Sequence, residues 1–122
     1  MLKKIISKQL SERTKVLLML DYYRWKSRQF GKKSNYLNKD KLHLGCGRRI
    51  VPGWLNVDLL HSDYDVDLGI GKLPFKSSHF KAVASQHVIE HLDIELELIP
   101  LLKESNRVLE KSGEIWLSCP DM

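Results

Sequence analysis

Apolar and polar residues alternate in short runs between residues 41 and 118, and these runs predict β-strands. Leu42 and Leu44 share one face of the first run, which stops at Gly45 and Gly47. Comparable runs follow at residues 55–59, 64–69, 80–85 and 114–118. The pattern therefore predicts five strands, the first of which ends in a glycine-containing loop that can approach a ligand closely.

The connections between these strands indicate the fold class. A leucine-rich stripe predicts a helix over residues 93–111, with Pro100 at a kink or a late start and Ser112-Gly113 as its end. The first two strands are joined too closely for a crossover helix, because Pro52-Gly53 interrupts the segment, so a turn is expected there. The predicted order of elements is a strand, a turn, three further strands, a helix and a last strand. This order indicates an α/β domain.

The N-terminal segment differs from the rest of the chain in charge. Residues 1–40 hold 11 Lys and Arg against 3 Asp and Glu, a net +8, whereas residues 41–122 are net −3. Apolar residues at helical spacing up to residue 25 predict one or two amphipathic helices, followed by a turn or linker at residues 31–35. We therefore divide the chain into a basic helical arm, residues 1–40, and a single core domain, residues 41–122.

Three interpretations of the arm are open. The first is a helix that packs on the sheet and leaves its basic face in solvent. The second is contact with an acidic surface, as in peripheral binding to anionic lipid, and the third is a lid over a substrate site. No RNA-binding signature accompanies the charge, so nucleic acid is not an expected partner.

Cysteine usage and hydropathy indicate the compartment. The chain has two cysteines, Cys46 in the glycine loop and Cys119 after the last predicted strand, which is no disulfide framework. No apolar run approaches the length of a membrane span, and no signal peptide is visible. Both cysteines are expected to be free thiols in a cytoplasmic protein.

Two kinds of site can be weighed from spacing alone. A nicotinamide site is disfavoured, because Ile50 stands where a third glycine or alanine is needed and Asp58 follows the loop too soon. His87, Glu90 and His91 match the H-x-x-E-H motif of zinc hydrolases. Zinc also needs a third ligand, and no second motif surrounds the acids that follow, so no metal is expected.

A further set of motifs resembles class I S-adenosylmethionine-dependent methyltransferases, in particular small bacterial ones. These motifs are a Leu-Gly-Cys-Gly turn, a Gly-Trp-x-Asn-Val-Asp strand, a Leu-Pro-Phe loop and a His-Val-x-Glu-His segment, at residues 44–47, 53–58, 73–75 and 87–91. The resemblance covers residues 41–122. It implies a Rossmann-like α/β fold with a mostly parallel sheet in the order 3-2-1-4-5.

The resemblance also implies where the cofactor S-adenosylmethionine binds. The backbone of Gly45, Cys46 and Gly47 would contact its methionine part. Asp58 would accept hydrogen bonds from both ribose hydroxyls, which suits an ionised carboxylate, and Leu59 follows in the same cofactor-binding segment.

The resemblance places the remaining site residues after the third and fourth strands. Asp67 and Leu68 would lie beside the adenine, and Gln86 and His87 would face the sulfonium and the methyl acceptor. His87 is the candidate catalytic base. His91 is expected to make local hydrogen bonds instead.

The chain departs from the family pattern at its end. Methyltransferases of this class usually continue beyond the fifth strand, so we expect a truncated domain without the usual sixth and seventh strands. A homodimer or a partner covering the fifth-strand edge is then expected. The function implied is methyl transfer to an unidentified small molecule or saccharide, and the alternative is a non-catalytic or partner-dependent cofactor-binding module.

Overall fold

Strand β1 (Lys41–Leu44) lies in the middle of a parallel sheet in a computed structural model that describes residues 11–86 and 93–118. The other strands are β2 (Leu55–Asp58), β3 (Tyr64–Asp65), β4 (Phe80–Gln86) and β5 (Leu109–Ser118). Their order is β3-β2-β1-β4-β5, and every neighbouring pair is parallel. The predicted Rossmann-like α/β fold and strand order are confirmed.

The core lies on the central strands. Leu42 and Leu44 of β1 are fully buried, and so are Val57 of β2, Phe80 and Val83 of β4. Burial on both faces is typical of central parallel strands, which are covered above and below. The carboxyl ends of β1, β2 and β4 therefore meet at one edge of a rigid sheet.

The connection from β1 to β2 is a turn, as predicted. The Arg49 amide donates to the Cys46 carbonyl at 2.8 Å, and Gly53 has a φ of 86° in the left-handed region. No helix forms between Gly45 and Trp54. The glycine loop lies against the carboxyl end of β2, where the amides of Gly45 and Cys46 donate to the Val57 carbonyl.

The third strand is shorter than predicted. β3 ends at Asp65, and Leu68–Ile70 forms a 3-10 turn. The Asp67 side chain accepts from the Gly69 amide at 3.0 Å and caps that turn, which turns the backbone away from the sheet. The extended run predicted over residues 64–69 is therefore wrong in its second half.

The second helix starts as predicted but ends early. A π-helical turn, Ile94–Leu98, leads into α2 (Ile99–Val108), and Pro100 occupies the first helical turn. The predicted end at residues 112–113 is wrong, because β5 begins at Leu109 and pairs with Phe80. The amides of Ser78 and His79 donate to the carbonyls of residues 107 and 108, which lie at the end of the helix. These contacts with the segment before β4 override the helical periodicity.

Helix α1 (Glu12–Phe30) forms most of the described part of the basic arm, residues 11–40, and residues 1–10 lie outside the described ranges. Ser11 caps its start, and the Gly31 amide closes its end on the Ser27 carbonyl at 3.0 Å. The first interpretation of its packing is wrong: Arg24 and Arg28 make the contacts to the core domain, and apolar residues of the helix remain exposed. In the described part, no helix combines the length and apolar character needed to cross a bilayer.

The Leu-Pro-Phe loop is held against the last turns of α2. The Leu73 amide donates to Glu104 Oε1 at 2.8 Å, and Arg107 Nη2 donates to the Leu73 carbonyl at 2.8 Å. Arg107 also donates to Glu104, and this hydrogen bond lowers the pKa of the glutamate. These contacts bring together two motifs that lie 31 or more residues apart in the sequence.

Candidate functional site

The glycine loop bends sharply as it leaves β1. Gly45 and Gly47 have φ values of 68° and 54°, in the left-handed region that favours glycine. The amides of Gly45 and Cys46 both donate to the Val57 carbonyl, at 2.7 and 3.1 Å, which fixes the loop to β2. A Cβ added at Gly47 would meet no atom of the described residues within 4 Å, so within that part of the chain the loop faces open space.

Asp58 lies at the carboxyl end of β2, against the glycine loop. Its Oδ2 accepts from the Gly47 amide at 2.6 Å, and its Oδ1 accepts from the Leu59 amide at 2.7 Å. The side chain is only partly buried. Since an ionised carboxylate has about four acceptor positions, two remain for ligand hydroxyls.

Asn56 holds the loops on both sides of β2 and was given no role by the sequence. Its Oδ1 accepts from the Val51 amide at 2.9 Å and lies 3.0 Å from His43 Nδ1. Its Nδ2 donates to Asp63 Oδ2 at 2.9 Å and to the carbonyls of Val51 and Trp54, each at 3.1 Å. A fully buried asparagine with every amide hydrogen and lone pair in use fixes the segment that carries Asp58.

Asp67 and Leu68 lie next to Asp58, because the Val66 amide donates to the Asp58 carbonyl at 2.8 Å. The Asp67 carboxylate is 4% exposed and does not face open space. Its Oδ2 accepts from Arg24 Nε at 2.8 Å and from Arg28 Nη1 at 3.0 Å. The hydrogen bond to Asp67 raises the pKa of Arg24, so this side chain anchors α1 beside the site.

Gln86 ends β4 and is linked to the glycine loop. Arg49 Nη1 donates to Gln86 Oε1 at 2.5 Å, and both residues are exposed. Gln86 ends β4, and Arg49 follows β1, the strand that pairs with β4. Between β1 and β4 the strand order changes direction, since β2 and β3 lie on one side and β5 lies on the other. In open parallel sheets, ligands bind in the crevice at that point.

A family comparison now identifies this arrangement. The sequence model described as "Methyltransferase domain" matches residues 56–117, just over half of the chain. The chain belongs to this methyltransferase family. No curated protein and no solved structure gives a significant match.

The matched segment of the methyltransferase begins at Asn56 and includes β2 to β5. It contains Asp58, Asp67, Leu68 and Gln86, whereas the glycine loop precedes it. Gly45 to Gly47 nevertheless contact Asp58 and Val57 directly. The structure thus joins the loop to the family segment at the edge of the sheet.

Cys46 is not equipped to act as a nucleophile in this methyltransferase. The residue is buried and is a free thiol. Burial, and then the negative charges of Asp58 and Asp63, raise the pKa of Cys46 to about 11. Because the thiolate is the reactive form, the side chain stays protonated near neutral pH and serves packing.

Four sequence predictions fall on residues without a structural description: the zinc motif, the catalytic base, the local hydrogen bonds of His91 and the free thiol of Cys119. His87, Glu90 and His91 lie outside the described ranges, and so does Cys119. Within residues 11–86 and 93–118, no three His, Cys, Asp or Glu side chains are grouped to hold a metal ion. The zinc motif and the candidate base therefore remain sequence predictions.

Ser85 is a second residue that sequence reasoning passed over. It precedes Gln86 at the end of β4, is 3% exposed, and its hydroxyl has no hydrogen-bond partner among the described residues. The alternating pattern of β4 indicates that residue 85 faces inward. A serine at that position does not by itself indicate a binding or catalytic role.

Proposed function

We propose that this methyltransferase uses S-adenosylmethionine to methylate a small-molecule or saccharide acceptor. One observation carries the proposal: the Asp58 carboxylate and the Gly47 amide meet at 2.6 Å, beside space that no described residue fills. The cofactor has a ribose diol that suits a carboxylate acceptor, and a charged methionine part that suits a loop of backbone groups.

Each residue of the site has a role in this proposal. The backbone of Gly45 to Gly47 holds the methionine part, and Asp58 accepts from the ribose hydroxyls. Leu59, which donates its amide to Asp58, fixes the carboxylate. Asp67 and Leu68 line the adenine through their backbone, since the Asp67 carboxylate is occupied by Arg24 and Arg28.

The chemistry required of the protein is alignment. Bound S-adenosylmethionine would supply an activated methyl group, on its sulfonium, for transfer to the acceptor. Gln86, held by Arg49 at the end of β4, orients the acceptor. His87, the next residue, takes the proton if the acceptor is a hydroxyl.

A second candidate function is a cofactor-binding module that needs a partner for turnover. Ile115, Trp116 and Leu117 favour it, because they are 42%, 64% and 41% exposed on the outer strand β5. A partner strand or surface would cover them. The two functions differ in turnover and agree on cofactor binding.

The experiment is a transfer assay with S-adenosylmethionine carrying a labelled methyl group. The purified chain is incubated with panels of saccharides and small metabolites, with Asp58→Ala as the negative control and Glu114→Ala, an exposed acid on β5, as the positive one. Labelled product that depends on Asp58 supports the methyltransferase function. Cofactor binding without labelled product from any acceptor supports the partner-dependent module instead.

A further inference from the structure

Helix α1 exposes an unusual amount of apolar surface. Its large hydrophobic residues are between 39% and 72% exposed: Val16, Leu17, Leu18, Met19, Leu20, Tyr22, Tyr23, Trp25 and Phe30. Contiguous exposed apolar surface on a domain marks an interaction site. Residues 16–20 are consecutive and so surround the helix.

The contact between α1 and the domain determines which side faces outward. Arg24 and Arg28 bind Asp67, and Ser27 between them is fully buried. At 3.6 residues per turn, the opposite side carries an outward stripe with Trp25 at its border. Its members are Lys15, Leu18, Met19, Tyr22, Trp25, Lys26 and Gln29, of which Lys15 and Lys26 are half-buried and the others exposed.

We propose that this outward stripe of α1 binds the surface of an anionic lipid bilayer. The stripe combines aliphatic side chains with Tyr22 and Trp25, whose ring centroids lie 6.2 Å apart. Tyrosine and tryptophan have an apolar body and a polar tip, and they favour the boundary between headgroups and acyl chains. A helix with this composition lies in the plane of the interface.

The stripe could also bind a second copy of the chain, and charge favours the lipid surface over that alternative. Helix α1 carries five Lys and Arg against two Asp and Glu, a net charge of +3. Two copies that met through the stripe would bring like charges together, whereas an anionic surface neutralises them. Each Lys or Arg near such a surface adds attraction that salt screens.

The anchoring of α1 is also suited to this role. Arg24 and Arg28 hold the helix through the buried Asp67 carboxylate, on the side away from the stripe. The stripe can therefore enter a bilayer without unfolding any described contact of the core.

The test is flotation of the full chain with two kinds of vesicle, phosphatidylcholine alone and phosphatidylcholine mixed with phosphatidylserine. Trp25→Ala is compared with Trp116→Ala, since both tryptophans are exposed, at 47% and 64%. Lys26→Glu is compared with Lys103→Glu on α2, and Leu18→Gln is a second apolar variant.

We expect binding to the mixed vesicles that weakens as salt is added. Trp25→Ala, Leu18→Gln and Lys26→Glu should each lower the affinity about tenfold or more, and the two controls should not change it. Failure to float with mixed vesicles overturns the proposal. So does a lipid-independent dimer, seen by light scattering, that Trp25→Ala abolishes, because the stripe would then be an interface between copies.

Discussion

At the residue scale, buried polar side chains fix the loops that form the site. Asn56 joins both connections flanking β2, and Asp65 accepts from the amides of Lys32 and Ser62, at 2.8 and 3.0 Å. Such groups are costly to bury and stabilise the fold when every partner is present. Substituting them therefore tests the scaffold apart from the cofactor.

Asn56→Ala should destabilise the protein by about 1 to 3 kcal/mol, because the Val51 amide and the His43 ring would lose a buried acceptor. Chemical denaturation of the variant and the wild type measures the difference. Asn106→Ala, on the exposed side of α2, is the matched control and should change the free energy of unfolding little. Equal stability of wild type and Asn56→Ala would contradict the role assigned to this network.

Asp63 should make folding stability depend on acid pH. Burial alone would raise its pKa, but hydrogen bonds from Asn56 and the charges of Lys32 and Lys39 lower it below the ordinary 3.8. A folded pKa below the unfolded one stabilises the protein above the unfolded pKa, and the contribution is lost as the pH falls through the folded pKa. Wild-type stability should therefore decrease below pH 3.8 more than that of Asp63→Asn. Acid titrations monitored by circular dichroism compare the two, and parallel curves would exclude Asp63 as a source of the dependence.

The sequence identified some of these residues and not others. Gly45, Gly47 and Asp58 could be located because the glycines and the strand-end acid form a recognisable pattern, and they meet in the structure. Asn56 belongs to the Gly-Trp-x-Asn-Val-Asp motif, but its contacts depend on how the two loops flanking β2 fold back on that strand. The pairing of Asp67 with α1 could not be foreseen either, because Arg24 lies 43 residues away in the chain.

At the element scale, sheet pairing decided the boundaries that local patterns predicted wrongly. Residues 109–111 carry a helical signal, yet Leu109 pairs with Phe80 of β4, and the pairing resumes at Glu114 opposite Ala82 after an irregularity in the strand. Gly113 then fits a close approach, since a Cβ there would lie 2.8 Å from the Leu109 side chain and 3.2 Å from the Lys81 carbonyl. The strand order was predictable through the resemblance, whereas the exact ends depended on contacts distant in sequence.

The attachment of α1 depends on Asp67. Asp67→Ala should destabilise the protein by about 1.5 to 3 kcal/mol, because two charge-assisted hydrogen bonds to a buried carboxylate are lost. Hydrogen exchange in α1 should increase as its anchor is removed. A double-mutant cycle with Arg24→Ala isolates the pair, and zero coupling energy would show that the helix is held by other contacts.

At the scale of the whole molecule, helix α1 and the outer strand β5 are two of the exposed apolar surfaces among the described residues; Ile94, Leu96 and Ile99 are exposed as well. β5 carries Ile115, Trp116 and Leu117 on an edge with no further strand in the described sheet. Only the last part of the strand, residues 115–118, is free of charged side chains, and an uncharged edge segment can pair with another chain. The two surfaces can be tested separately because they lie on different elements.

The β5 edge should cause self-association. Light scattering of the isolated chain is expected to show dimers or larger species, and Leu117→Lys should reduce them by placing a charge on the edge. Leu37→Lys, on an exposed leucine outside the sheet, is the control and should leave association unchanged. A wild-type chain that stays monomeric would show that the edge needs no partner.

The central claim is that Asp58 and the glycine loop bind S-adenosylmethionine, and calorimetric titration of the cofactor tests it most directly. The wild type should bind, and Asp58→Ala should lose about 1.5 to 3 kcal/mol, or roughly tenfold to a hundredfold in affinity, because a charged acceptor of two hydroxyls is removed. Glu114→Ala should bind like the wild type. Equal affinity of the wild type and Asp58→Ala, or no heat of binding in either, would contradict the account.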